Sequence, residues 1–186
     1  MKNQASNSAI RKLTCSAMCL ALCLVLPFFT GQIPQIGSAL CPMHLPVLLA
    51  GYLCGPWWAM GVGAAAPLMR HLWLSMPPLV AALGMTFELA AYGLVAGAIY
   101  RVLPRRAGSI YLSLICAMIV GRIVWGCAMV VIMGISGSPF TWGAFLAGAV
   151  LNAIPGIIVQ LVLIPLLVMA LQRANIIALS KRRQSI

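Results

Sequence analysis

Glu88 is the only acidic side chain in 186 residues, and it lies inside an apolar stretch running from Ala81 to Gly97. A charge at the centre of a membrane helix costs roughly 2.5–3.5 kcal/mol on insertion scales, so one that persists there faces protein or water and has a partner. The two basic residues that also fall within apolar segments are Arg70 and Arg122. One acid and two bases in otherwise apolar sequence point to a membrane protein with a polar site buried inside it.

The composition supports that reading. Hydrophobic residues make up 63% of the chain and charged residues 7%, where soluble domains run near 45–50% and about 25%. A water-soluble surface cannot be built from this chain. At roughly 20 residues per crossing plus short connections, residues 1–186 are expected to form one all-α integral membrane domain of six transmembrane helices.

The net charge of +11 invites a nucleic-acid reading, but the charges are in the wrong places for it. Ten of the twelve Lys and Arg sit at the chain ends and in one connection: Lys2, Arg11 and Lys12; Arg101, Arg105 and Arg106; Arg173, Lys181, Arg182 and Arg183. This is the positive-inside pattern, not a basic face for phosphates. It sets orientation and attracts anionic lipid headgroups. With six spans all these clusters fall on one side, so both termini are expected in the cytoplasm. The N-terminal segment has the basic flank and apolar run of a signal peptide. Pro27 and the lack of a small-residue cleavage pattern make it a retained first span instead.

The spans are read at about 10–30, 43–55, 57–74, 80–100, 109–133 and 141–171. Gly55-Pro56 stops the second, and the turn-rich Ser75-Met-Pro-Pro78 ends the third. Both are short for a crossing, so one of them is tilted, broken or partly re-entrant. Pro155 and Pro165 are expected as kinks in the sixth. The connections on the outer side, 31–42, 75–79 and 134–140, carry no charge.

Seven cysteines match neither a zinc nor a disulfide spacing. Cys15, Cys19 and Cys23 recur every four residues, as apolar packing residues on one helical face do. Ala17 and Ala21 form a small-x-x-x-small pair roughly opposite that stripe, in the form that lets another helix approach closely. Gly51/Gly55 and Gly93/Gly97 have the same form, which most often packs helices within one chain.

The polar constellation centres on Glu88 and Arg122. Tyr92 follows Glu88 at i+4, and Trp125 follows Arg122 at i+3, so each pair shares a face. One reading is a structural ion pair stitching two helices. The other is a pocket in which one of these groups meets a polar ligand. Desolvation offsets the attraction of a buried pair, so a mixed role is expected: Glu88 orients Arg122, and Arg122 or Arg70 meets the substrate. Asn152 is a third polar group at comparable depth, with Gln160 deeper. His44 is expected to line a loop or pocket near the outer surface, and Trp73, Tyr92 and Trp125 to wall the cavity. Two arginines against one carboxylate suit a substrate bearing an acid group.

Pro42-Met-His-Leu-Pro46 is similar to the Met-His-Ile-Pro start of cobalt- and nickel-uptake proteins. There the metal site needs a free N-terminal amine, whereas here the motif is internal and the following Asp is missing. No metal and no cofactor are expected.

Taken in order, Pro42-Met-His-Leu-Pro-Val-Leu-Leu-Ala-Gly51, Gly55-Pro56 with Gly61 and Pro67-Leu68, Phe87-Glu-Leu-Ala-Ala-Tyr-Gly93 and Gly121-Arg122 give the chain its family likeness. It resembles the substrate-binding S components of energy-coupling factor (ECF) vitamin transporters of bacteria. The resemblance implies a multi-pass protein of the bacterial plasma membrane that captures a small water-soluble vitamin, a pantothenate-like acid being the first guess. It implies as partners a transmembrane coupling protein, docking on Ala17 and Ala21, and two ATPase subunits. It implies gating by the connections 31–42 and 72–79, and it implies no enzymatic activity. The chain has no Gly-x-x-x-x-Gly-Lys-Ser/Thr loop, so it is expected to hydrolyse no ATP itself. The alternative is a self-sufficient secondary transporter with Glu88 as proton carrier. A membrane enzyme would need a nucleophile-and-base or metal set that a lone Glu does not supply.

Overall fold

The computed structural model describes residues 2–29, 41–104, 106–135, 141–149 and 153–174. Every regular element among them is a helix: α1 (Lys2–Phe29), α2 (His44–Leu53), α3 (Pro56–Leu74), α4 (Leu79–Val102), α5 (Ala107–Ile135), α6 (Trp142–Ala149) and α7 (Ile154–Arg173). Among the described residues, four helical segments are long and apolar enough to cross a membrane: Ala9–Phe29, Leu79–Val102, Ala107–Ile135 and Ile154–Arg173. Helix α2 has ten residues, about 15 Å at 1.5 Å per residue, against a hydrocarbon core of about 30 Å.

Local chemistry accounts for the breaks. Gly55, at φ 96°, takes a left-handed conformation that only glycine adopts without strain, and Pro56 then opens α3 at its first turn. Ser75 closes α3 in the left-handed region, and Pro78 precedes α4. At the other end of α4, Pro104 holds Leu103 in extended backbone. Pro155 sits in the first turn of α7 and so opens that helix. Residues 150–152, between α6 and α7, lie outside the described residues, so the reading of one sixth span over 141–171 falls partly outside them. Pro165 does lie inside α7.

Helix α4 is the hub, packed against α2, α3 and α5. Glycine makes this possible. A Cβ on Gly93 would come within 2.7 Å of the Ala59 carbonyl carbon, one on Gly97 within 2.7 Å of the Pro56 nitrogen, and one on Gly51 within 3.1 Å of the Gly93 oxygen. Gly51, Gly93 and Gly97 therefore pack helices of this one chain, backbone against backbone, while Gly55 faces the Arg101 side chain. Helix α1 lies across α2 and α3, while α7 packs on α2 and α5.

Polarity is distributed as in a membrane protein. His44, Arg70, Glu88 and Gln160 are buried, while Leu22, Ile119, Ile123, Val131, Val162 and Leu166 are exposed. An apolar outer surface with polar groups turned inward is what a lipid solvent demands. Along α1 the expected division holds: Cys19 and Cys23 are buried, and Ala17 and Ala21 are exposed.

Candidate functional site

The register of the bundle decides which polar groups can meet. Helices α3 and α4 run antiparallel, with Ala59 beside Gly93 and Gly63 beside Leu89. Glu88 thus lies near the middle of the pair. Helix α2 starts at His44 on the same side of α4, and α5 passes the other side with Gly121 against the Tyr92 ring. A side chain at Gly121 would occupy the space of that ring, so glycine there lets α5 bring Arg122 next to Glu88.

The result is a compact polar cluster. Arg122 Nη1 lies 2.9 Å from Glu88 Oε1, and His44 Nε2 lies 3.4 Å from the same oxygen. The Glu88 side chain is 3% exposed and that of Arg122 15%. Arg122 Nη2 donates to the Cys41 thiol at 3.9 Å, a weak acceptor. The His44 and Tyr92 rings meet edge to face, 4.9 Å between centroids, a favoured aromatic geometry. The Tyr92 hydroxyl faces the same charges and is buried without a hydrogen bond of normal geometry. Among the described residues, His44 Nδ1 and Arg122 Nε also have no hydrogen-bond partner. Each such buried group costs roughly 1–3 kcal/mol.

The bonding pattern of Arg122 matters chemically. Glu88 takes Nη1, while Nη2 meets the Cys41 thiol, Nε has no hydrogen-bond partner among the described residues, and the Tyr92 hydroxyl lies nearby. A guanidinium edge with two parallel N–H groups is the natural partner of a carboxylate. Glu88 therefore neutralises and aims Arg122 without using up its forked donor edge.

The remaining expected site residues are placed as follows. Arg70 is not part of this cluster. Its Nη1 donates to the Leu24 carbonyl at 3.0 Å, and its guanidinium lies 5.3 Å from the centre of the Phe28 ring. It ties α3 to the end of α1, on the α3–α4 turn side of Glu88. Trp125 lies against Gly84 and Gly148 and stacks on Phe145 at 6.2 Å, so it packs α4, α5 and α6 together. Trp73 is 68% exposed, which corrects its assignment to the cavity wall. His44 is fully buried beside Glu88, deeper in the bundle than an outer loop position. Asn152 and most of the 31–42 connection lie outside the described residues. In the 72–79 connection, His71 Nδ1 is 2.8 Å from the Pro77 carbonyl, which braces the turn.

One polar residue has a position that sequence reading understated. Gln160 on α7 is 0% exposed. Among the described residues, neither its Nε2 nor its Oε1 has a hydrogen-bond partner. The signal for it is the four-residue stripe Gly156, Gln160, Ile164 and Val168, all buried, in which an amide takes a core position.

The family model for the ECF transporter substrate-specific component matches residues 11–168. Neither a curated protein nor a solved structure matches the chain. The matched segment begins in α1, ends in α7 and holds the whole Glu88–Arg122–His44 cluster. The chain belongs to the substrate-specific components of ECF transporters, membrane subunits that capture a substrate for an ECF module and are not enzymes.

Proposed function

We propose that this chain captures a small water-soluble vitamin bearing an acid group, a pantothenate-like molecule being the first to test, from outside a bacterial cell. The observation that carries this reading is the Nε–Nη2 edge of Arg122, held beside Glu88 and His44 and left without a strong acceptor. In the proposed site Arg122 grips the acid group, Glu88 orients it, and His44 and Tyr92 border the ligand. Arg70, Asn152 and Trp125 were the other expected contributors. Of these, Arg70 and Trp125 serve chiefly to hold helices, and Asn152 stays a candidate ligand contact.

Charge placement and family support the following wider arrangement. Both termini and the 101–108 connection lie in the cytoplasm, where Lys and Arg accumulate. Residues 31–42 and 72–79 then lie outside and gate entry. The exposed Ala17/Ala21 face of α1 meets the coupling protein, which transmits work from two ATPases.

Uptake in reconstituted vesicles tests the reading. Labelled pantothenate and other water-soluble vitamins are offered to vesicles holding this chain alone or with an ECF module, with and without internal ATP. Uptake that needs both the module and ATP is expected. Uptake by the chain alone, driven by a proton gradient, would overturn the proposal and return Glu88 to the role of proton carrier.

A further inference from the structure

Gln160 presents an unusual problem in an otherwise apolar position. It lies on the buried stripe of α7 between Gly156 and Ile164. Ile164 and Val168 join the core cluster formed with Leu48, Tyr92 and Leu114, and Ile157 and Leu161 pack against that cluster. The Gln160 amide is fully buried, and both its donor and its acceptor lack partners among the described residues. Leu or Met at this position would avoid the cost of two unsatisfied groups.

Its depth is set by the neighbouring helices. Gln172 Nε2 donates to the Tyr100 hydroxyl, which aligns the ends of α7 and α4. The two helices run in the same direction, since Gln172 meets Tyr100 near the end of α4 while Ile164 and Val168, earlier on α7, fall in the core cluster that holds Tyr92 and Ala96. Gln160 lies twelve residues before Gln172, and Glu88 lies twelve residues before Tyr100. At 1.5 Å per residue both sit about 18 Å from that shared level. Gln160 is thus at the depth of Glu88, His44 and Arg122, on the α7 side of the bundle.

We propose that Gln160 is a second recognition point of the substrate site, reading an uncharged amide-type group (carboxamide, lactam or ureide). An amide offers one donor and one acceptor direction, so the group that satisfies both Gln160 atoms best also carries both. An uncharged group fits there because Gln160 carries no charge to offset one buried beside it. The substrate class that follows is a small acid with an amide: the acid at the Arg122 edge, the amide at Gln160. This rests on the reading of the layer as a substrate site.

The test uses the purified full chain in detergent, with thermal unfolding read first without additive and then with each member of a panel of water-soluble vitamins. Gln160→Met keeps the length of the side chain and removes both polar atoms. The expected result is a Gln160→Met protein at least as thermostable as the parent without additive. Its affinity for the compound that stabilises the parent should be at least tenfold weaker, about 1.4 kcal/mol. Among analogues of that compound, those lacking the amide should bind the parent and Gln160→Met alike. A Gln160→Met protein that binds as tightly as the parent overturns this inference and leaves the Arg122 site standing. A Gln160→Met protein that is unstable without additive also overturns it, since the amide would then be a structural group. A parent stabilised by no member of the panel overturns both the inference and the substrate reading beneath it.

Discussion

The Tyr92 ring lies against Gly121 so closely that no side chain fits at that glycine. This one contact sets the spacing of α4 and α5 and, with it, the 2.9 Å approach of Arg122 to Glu88. Gly121→Ala should force the ring or the helix aside. Overpacking of this kind typically costs about 1–3 kcal/mol, and it should weaken ligand binding beyond its effect on stability. Binding affinity and thermal unfolding measured on the same Gly121→Ala preparation check this. Unchanged values for both would mean that the helices are not held at this distance.

Gly61 and Gly63 lie two residues apart on α3 and make a matched control. A Cβ on Gly61 meets nothing within 4 Å, while one on Gly63 runs into the Leu89 backbone of α4. Gly61→Ala should leave stability unchanged or raise it by up to about 1 kcal/mol through helix propensity. Gly63→Ala should lower it by about 1–3 kcal/mol, because the obstacle is backbone and cannot rotate away. Equal unfolding midpoints for the two variants would contradict the α3–α4 packing.

The membrane class was legible in the sequence because bilayer burial leaves a compositional record, and the long apolar helices among the described residues and the family bear it out. The Glu88–Arg122 pairing was legible for a simpler reason: a chain with one acid offers few ways to pair. The rest depends on helix register, which composition does not carry. Arg70 looked equivalent to Arg122 in sequence, yet the α3–α4 alignment sends it to Leu24 and Phe28 of α1. His44 was expected to line a loop or pocket near the outer surface. Pro46 in fact falls within the first turn of α2, where its missing N–H costs nothing, and His44 points inward to Glu88. Pro155 was ambiguous for the same reason, since proline opens helices as readily as it kinks them. Gln160 was visible as a polar residue in an apolar run, but its burial required the partner helices.

The exposed pair Ala17 and Ala21 should separate capture from transport. Both lie on the face of α1 opposite the buried Cys19 and Cys23, and neither contributes to the polar cluster. Replacing both with Trp should abolish module-dependent uptake while leaving ligand affinity of the isolated chain within about twofold of the parent, or 0.4 kcal/mol at 1.4 kcal/mol per decade. Normal uptake by the double variant would show that the coupling protein docks elsewhere.

Arg122 and Glu88 should contribute unequally to binding. Arg122→Ala removes the forked donor edge and leaves Glu88 buried beside His44 without its cation. Losing a buried, charge-assisted contact costs about 2–5 kcal/mol of binding, roughly 30-fold or more in affinity. Glu88→Gln keeps an acceptor facing Arg122 Nη1, so the guanidinium stays aimed and the loss should be smaller. The double variant should then bind about as weakly as Arg122→Ala alone, because Glu88 acts only through Arg122. Titration of the purified single and double variants, each first checked for folding by thermal unfolding, measures all three. If Arg122→Ala folds and binds as the parent does, the acid group is held elsewhere. Arg70, the other buried guanidinium, would then be the next residue to replace.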